Sequence, residues 1–163
     1  MNDIGNRFYT PKGYERKNNR VITASMEDYL EMICRFTGED NFVRVNFLAQ
    51  QLNVKPSSSS KMVVNLRDLG LVEFERYGNI KPTTKGWEIG KYLLHRHKVL
   101  CRFFCLINDS ASELEQVEQI EHFINKTTIK NIEKLVNVLE SGEFNKSGDK
   151  NMKDAQCEMD KDE

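Results

Sequence analysis

The stretch VKPSSSSKMVVNLRDLGLVEFERYGNIKPT, residues 54–83, decides the fold. Pro56 suits the first turn of a helix, where its missing N–H costs nothing. Met62, Val63, Leu66 and Leu69 then recur at helical spacing as one apolar stripe, with Ser57, Ser58, Lys61 and Asn65 largely off it. Four serines would also suit a flexible linker, but the regular stripe after them argues for a helix. LVEFERYGNIKPT alternates with a period near two, and Gly78-Asn79 is a turn signal between the strand-like runs VEFERY and IKPT. Just upstream, Asn46 can cap a shorter helix over about 46–53, with Phe47, Leu48, Ala49 and Leu52 apolar. Two short helices joined by a tight turn, the second with a small, polar, basic face, followed by a hairpin, make a winged helix-turn-helix pattern.

Working outward, Ser25 is a candidate N-cap with Asp28 three residues on, ahead of a helix over 26–37 that Gly38 stops. Downstream, Thr83 or Thr84 caps a long helix running to about Ile107, in which Leu93, His97, Leu100, Phe104 and Ile107 share one stripe. After the loop Asn108-Asp109-Ser110, Ser112 with Glu115 is a capping box for a helix over about 113–124. Thr127 or Thr128 opens a last helix with Ile129, Ile132, Leu135, Val136 and Leu139 on its apolar face. The chain is therefore expected to be mainly α: a winged-helix DNA-binding domain with a two-stranded wing over 23–85, then a helical domain over 86–140. A flexible basic arm is expected over 1–22 and a disordered acidic tail over 141–163.

Composition fits a helix-rich soluble protein, with 30% charged and 39% hydrophobic residues and no run near the ~20 apolar residues a membrane span needs. The N-terminal twenty residues lack the apolar core of a secretory signal, so a cytoplasmic location is expected. The net charge of −1 is neutral on nucleic acid, but its distribution is uneven. Residues 1–20 hold five Lys/Arg against two Asp/Glu, and residues 141–163 hold four against seven. Cys34, Cys101, Cys105 and Cys157 form no CxxC pair and read as buried thiols.

Three places put hard ligands where a packed interior is expected. Asp28 and Glu31 stand at i, i+3 on the first helix; His97 lies inside the apolar stripe of the long helix; Glu118, Glu121 and His122 stand at i, i+3 and i+4 on the next. Singly, each has an ordinary explanation: a capping residue, a solvated charge, a hydrogen-bonded core histidine. Converging, they offer four carboxylates and two imidazoles, which would repel unless cations bridge them. An oxygen-rich set with His suits Mn²⁺ or Fe²⁺ better than Zn²⁺.

With these segments in register, namely SMEDYLEMI, VKPSSSSKMVVNLRDLGLVEFERYG, TTKGWEIGKYLLHRHKVL and VEQIEHFI, the chain resembles the manganese transport regulator branch of the diphtheria toxin repressor family. The resemblance runs from about Ser25 to about Leu139. It implies a metal-dependent repressor acting as a homodimer on a double-stranded DNA operator, in control of metal-uptake genes. It implies that Asp28, Glu31, His97, Glu118, Glu121 and His122 are the metal ligands, in a site for two Mn²⁺ ions per subunit, with Fe²⁺ the alternative ion. The iron-sensing branch has Met where this chain has Asp28 and Cys where it has Glu118, and it often carries a further SH3-like domain beyond this chain's last residue. The basic arm is longer than the family's usual start, and His95 points to a different side of the long helix from His97.

For DNA, Ser57, Ser58, Ser59, Lys61 and Asn65 are the candidates on the recognition helix. Arg76 and Lys81 are candidate phosphate contacts in the wing, and Arg44 and Lys55 beside it. Two other readings compete. A metal-independent winged-helix regulator answering an organic ligand explains residues 43–85 but not the six ligands. A dimetal hydrolase would need an open cleft with further general acids, which nothing in the chain suggests, so no enzyme activity is expected.

Overall fold

The computed structural model of the chain describes residues 13, 22–37, 42–75 and 78–141. The expected basic arm and acidic tail fall almost entirely outside the described residues, as do Arg76 and Cys157. In chain order the elements are α1 (Ala24–Phe36), β1 (Val43–Arg44), α2 (Val45–Gln51), α3 (Pro56–Asp68), β2 (Val72–Phe74), β3 (Asn79–Pro82), α4 (Thr84–Asn108), α5 (Leu114–Ile120), a 3₁₀ turn (Glu121–Phe123) and α6 (Lys126–Glu140).

The helix-turn-helix is α2 and α3. Pro56 opens α3, and Gly70, at φ +71°, closes it in a left-handed conformation that a side chain would oppose. The Gly70 and Leu71 N–H groups donate back to the carbonyls of Arg67 and Leu66 at 2.8 and 3.0 Å, so the helix end is satisfied as the chain turns into the wing. The wing is three-stranded in the order β1-β3-β2, all antiparallel, with Val43 opposite Ile80 and Phe74 opposite Ile80 on the other side. The two-stranded wing expected from sequence thus gains β1, whose two residues are too few to show any alternation.

Two apolar cores share α4. The first gathers Leu30 and Ile33 of α1, Leu48 of α2, Val63 and Leu66 of α3, Ile80 of β3 and Leu93 of α4. The second gathers Val99, Leu100 and Cys101 of α4 with Val117 of α5 and Ile129 of α6. His97 sits between Leu93 and Val99, at the seam of the two cores, and has no exposed surface. The apolar stripe of α4 does not stay buried along its length: Leu93, His97 and Leu100 are buried, Phe104 is half-buried and Ile107 is 52% exposed.

Four caps differ from the sequence expectation. Asn46 lies inside α2, which starts at Val45 after an extended Arg44 and has no side-chain cap. Thr23, not Ser25, is the N-cap of α1: it is extended and its Oγ1 accepts from the Met26 N–H at 3.3 Å, with Ser25 already inside the helix. Asn125, rather than Thr127 or Thr128, caps α6 by accepting from Thr128 N at 2.9 Å. The Ser112–Glu115 box does not form; α5 begins at Leu114 without a side-chain cap, and Ser110 Oγ donates to Glu113 at 2.6 Å instead. Thr83 does cap α4, accepting from Gly86 N at 3.0 Å.

Candidate metal centre

The six expected ligands come from four elements, α1, α4, α5 and the 3₁₀ turn, and meet at the seam. Because Thr23 is the cap, Asp28 is free of a capping role, and its Oδ1 lies 2.8 Å from His122 Nε2. Glu31 lies on the buried face of α1 and is 5% exposed. The α5 helix tightens into the 3₁₀ turn after Ile120, and that turn buries both Glu121 (1% exposed) and His122 (7%) at the junction with α1 and α4. A continuous α-helix to 124, as the sequence suggested, is therefore replaced by a shorter helix and a tighter turn.

Candidate donor atoms of five of these residues fall into two overlapping groups of three. Asp28, Glu121 and His122 form one, and Glu31, His97 and Glu121 the other, each with its ligand atoms within 4.8 Å of one another. Glu121 belongs to both. Its Oε2 lies 3.1 Å from His97 Nδ1, and its Oε1 lies 4.0 Å from His122 Nε2. Glu118, about half exposed, reaches the second group, with Oε1 at 3.6 Å from His97 Nδ1, and Glu31 Oε1 is 3.9 Å from the same nitrogen. The other nitrogen of His97, Nε2, is 3.4 Å from the buried Cys101 Sγ.

The electrostatics are those of a site short of positive charge. Burial, reinforced by the neighbouring Glu121, pushes the Glu31 carboxyl up. Burial likewise raises Glu118. Burial opposes the charged form of Glu121 too, yet hydrogen bonds and charge from His97 and Arg96 hold it below its ordinary value. Burial lowers His122, but bonds to Asp28 and Glu27 outweigh it and lift the ring to about 9. Carboxylates brought together around two imidazoles at a largely buried junction are a donor set that a divalent cation fits, since it supplies the missing charge and accepts hard oxygen together with nitrogen.

Two side chains at this centre were not singled out from sequence. Arg96 is 2% exposed and Glu27 lies beside it; Arg96 Nη1 donates to Glu27 Oε2 and Arg96 Nη2 to Glu121 Oε1, both at 2.8 Å. The available signal was position: Glu27 directly precedes Asp28, and Arg96 directly precedes His97. His95, by contrast, is half-exposed and faces Glu133 of α6 at 3.5 Å.

The expected DNA face divides. Ser57, Ser58 and Lys61 of α3 are exposed, as are Lys55 before it and Arg44 of β1, and Asn65 is half-buried. Ser59 is corrected: it has no exposed surface and sits beside Tyr29 of α1, so packing between α1 and α3 withdraws its hydroxyl from any DNA contact. Lys81 is half-exposed and pairs with Glu75 at 3.4 Å. Arg44, Asn46, Ser60 and Asn79 line one cleft between the helix-turn-helix and the wing, and of these only Arg44 is expected from sequence as a DNA contact.

Comparison with known proteins places the chain in a family with a DNA-binding and a metal-binding domain. The family "Iron dependent repressor, N-terminal DNA binding domain" matches residues 21–80, and "Iron dependent repressor, metal binding and dimerisation domain" matches residues 83–149. The HTH-type transcriptional regulator MntR of Bacillus velezensis is 38% identical over 127 residues, covering 77% of this chain and 89% of that protein. MntR of Shouchella clausii is 42% identical over 115 residues, covering 70% and 80%. Among solved structures, the manganese regulator SloR superposes with a TM-score of 0.62 at 24% identity, covering 71% of this chain and 55% of that one. The T. acidophilum IdeR gives 0.57 at 23%, covering 73% and 56%. The chain spans little more than half the length of those two structures, and at such identities they speak for the fold alone. With both family domains matched in order and relatives near 40% identity over most of their length, the chain belongs to the iron-dependent repressor family of metal-dependent transcriptional repressors.

Proposed function

We propose that the chain is a Mn²⁺-dependent repressor that binds operator DNA as a homodimer in the cytoplasm, without enzymatic activity of its own, and controls metal-uptake genes. The observation that carries this reading is Glu121, buried at the seam and shared between the two three-residue groups. Asp28, Glu121 and His122 would hold one ion, and Glu31, His97 and Glu121, with Glu118 adjacent, a second. Bound there, Mn²⁺ would supply positive charge between carboxylates that otherwise repel. Fe²⁺ would suit the same donors less selectively.

The rest is the work of the chain itself. Asp28 and Glu31 belong to α1, which packs in the first core beside α3. Glu118, Glu121 and His122 belong to α5 and the 3₁₀ turn, which pack on the second core. Drawing these two sets together restricts how the recognition helix of one subunit is placed relative to that of its partner. A dimer must match successive major-groove faces, so a narrower range of placements raises DNA affinity. This is a coupling free energy between metal and DNA sites.

The test is fluorescence anisotropy of duplexes selected from a random pool, titrated with Mn²⁺, Zn²⁺ and, anaerobically, Fe²⁺, with a chelator control. An anisotropy rise that requires Mn²⁺, with the DNA still intact on a gel afterwards, is expected; binding indifferent to all three ions would refute the proposal.

Three further outcomes follow from the same geometry. Of the seven exposed large hydrophobics among the described residues, Phe47 and Val54 lie in the DNA-binding half and five, Ile107, Leu114, Phe123, Leu135 and Val138, in the C-terminal half. An apolar set of that kind marks an interface, so sedimentation at micromolar concentration should give twice the chain mass; a monomer with and without metal would count against the dimer. Lys61→Ala should weaken DNA binding across sequences and reduce the salt slope by about 1, with Mn²⁺ affinity unchanged. Normal DNA binding by that variant would mean that α3 is misplaced on the groove. Asp28→Met with Glu118→Cys replaces two hard donors by sulfur. The response to Mn²⁺ should fall by roughly tenfold or more while that to thiophilic ions holds or improves. An unchanged Mn²⁺ response in the folded double variant would show that neither residue is a ligand.

A further inference from the structure

We propose that Glu27 and Arg96 form a positioning pair, a buried clasp that orients Glu121 and His122 from behind and joins α1 to the 3₁₀ turn before any metal arrives. The inference rests on the metal-centre reading above and adds two residues that this reading does not use as ligands.

Both terminal nitrogens of Arg96 are engaged, while its buried Nε has no hydrogen-bond partner among the described residues. Arg96 is 2% exposed, and its fork divides between two elements that are distant in sequence. Nη1 donates to Glu27 Oε2 of α1, and Nη2 donates to Glu121 Oε1 of the turn, each at 2.8 Å. The same Nη2 lies 3.2 Å from His122 Nδ1, and Glu27 Oε2 lies 2.9 Å from that nitrogen. His122 is therefore held at Nδ1 by Glu27, which accepts the Nδ1–H, with Arg96 Nη2 beside that nitrogen and orienting Glu27 rather than the ring, while its Nε2 faces Asp28 at 2.8 Å. Glu121 is held by Arg96 at Oε1, which leaves Oε2 toward His97. Outer partners of this kind fix the ring face and carboxylate orientation that a ligand set needs.

A second role for Arg96 is conceivable, that of a plain counterion, and the two differ in sign. A counterion lowers the negative charge of the site, so its removal would tighten divalent binding. A positioning residue holds ligands in place, so its removal weakens binding although the site becomes more negative. The forked contact favours positioning, because the rigid planar guanidinium fixes where the two carboxylates sit, which a lysine's flexible point charge would not.

The experiment compares wild type with Arg96→Gln, Arg96→Lys and Glu27→Gln. Mn²⁺ affinity is read by calorimetry, and amide hydrogen exchange over α1 and Glu121–Phe123 is read in the metal-free proteins. Arg96→Gln should lose 10–100-fold in Mn²⁺ affinity, with Arg96→Lys recovering only part of that. Glu27→Gln should lose about tenfold. In the absence of metal, exchange at the turn should quicken in all three variants. Wild-type or tighter Mn²⁺ binding by Arg96→Gln, or unchanged exchange at the turn, overturns the proposal. Should Arg96→Gln not fold, the near-isosteric Glu27→Gln decides by the same two readouts. Failure of wild type to bind Mn²⁺ would instead refute the metal-centre reading, and the metal-free exchange would still judge the clasp.

Discussion

Glu121→Gln should reduce Mn²⁺ affinity by roughly 100-fold or more, beyond the 10–100-fold typical of losing an outer-shell partner, and return DNA binding to its metal-free level. Glu121 is the one residue common to both three-residue groups, and its two oxygens face different partners, Arg96 and His97. Glutamine keeps the shape but removes the charge, and it must aim an N–H at one of those sites. If the amide faces Arg96, donor meets donor; if it faces His97, the second group loses its acceptor. The variant should nevertheless fold, because Arg96 keeps Glu27 as a partner at 2.8 Å. The cost of one disturbed buried hydrogen bond is on the order of 1–3 kcal/mol. Calorimetry with Mn²⁺, on protein checked by circular dichroism, reads the effect. Wild-type affinity in the folded variant would remove Glu121 from the centre of the account.

The second large effect is on stability. Gly86→Ala should destabilise the protein by about 3 kcal/mol or more, at the upper end of overpacking effects. Alanine ordinarily gains about 1 kcal/mol over glycine inside a helix, so contact decides the sign. A Cβ built on Gly86 would lie 1.9 Å from the Leu71 carbonyl oxygen. That oxygen cannot retreat freely, since it accepts from Thr83 N at 3.0 Å and from Thr83 Oγ1 at 3.2 Å. The clash would fall where the wing meets the first turn of α4, and would force α4 away from the first core. Thermal unfolding of the metal-free protein should show a drop on the order of 10 °C. A change below about 1 kcal/mol would mean that Leu71 and α4 are not packed as described.

What was legible in the sequence was whatever repeats or carries a charge in the wrong place. The stripe of Met62, Val63, Leu66 and Leu69 located α3, and three buried-looking clusters of hard ligands located the seam. Less visible were features set by tertiary context. Ser25 and Thr23 are both good caps, and only the extended backbone at Thr23 separates them. Ser59 looks like its three serine neighbours, and its burial depends on Tyr29 of a helix thirty residues earlier. The 3₁₀ turn has no periodic signature in three residues, yet it sets where Glu121 and His122 point. Arg96 and Glu27 read as ordinary helix charges until their partners are known. Local pattern thus names the candidate donors, while the packing of α1, α4 and the turn brings their atoms together.

The most direct test of the central claim is anomalous diffraction at the manganese edge from crystals of the full chain grown with Mn²⁺. The account predicts two peaks per subunit at the seam of α1, α4 and the 3₁₀ turn. One should be bounded by Asp28, Glu121 and His122, the other by Glu31, His97, Glu118 and Glu121. Peaks elsewhere on the chain, or Mn²⁺-saturated crystals with none between these residues, would contradict it.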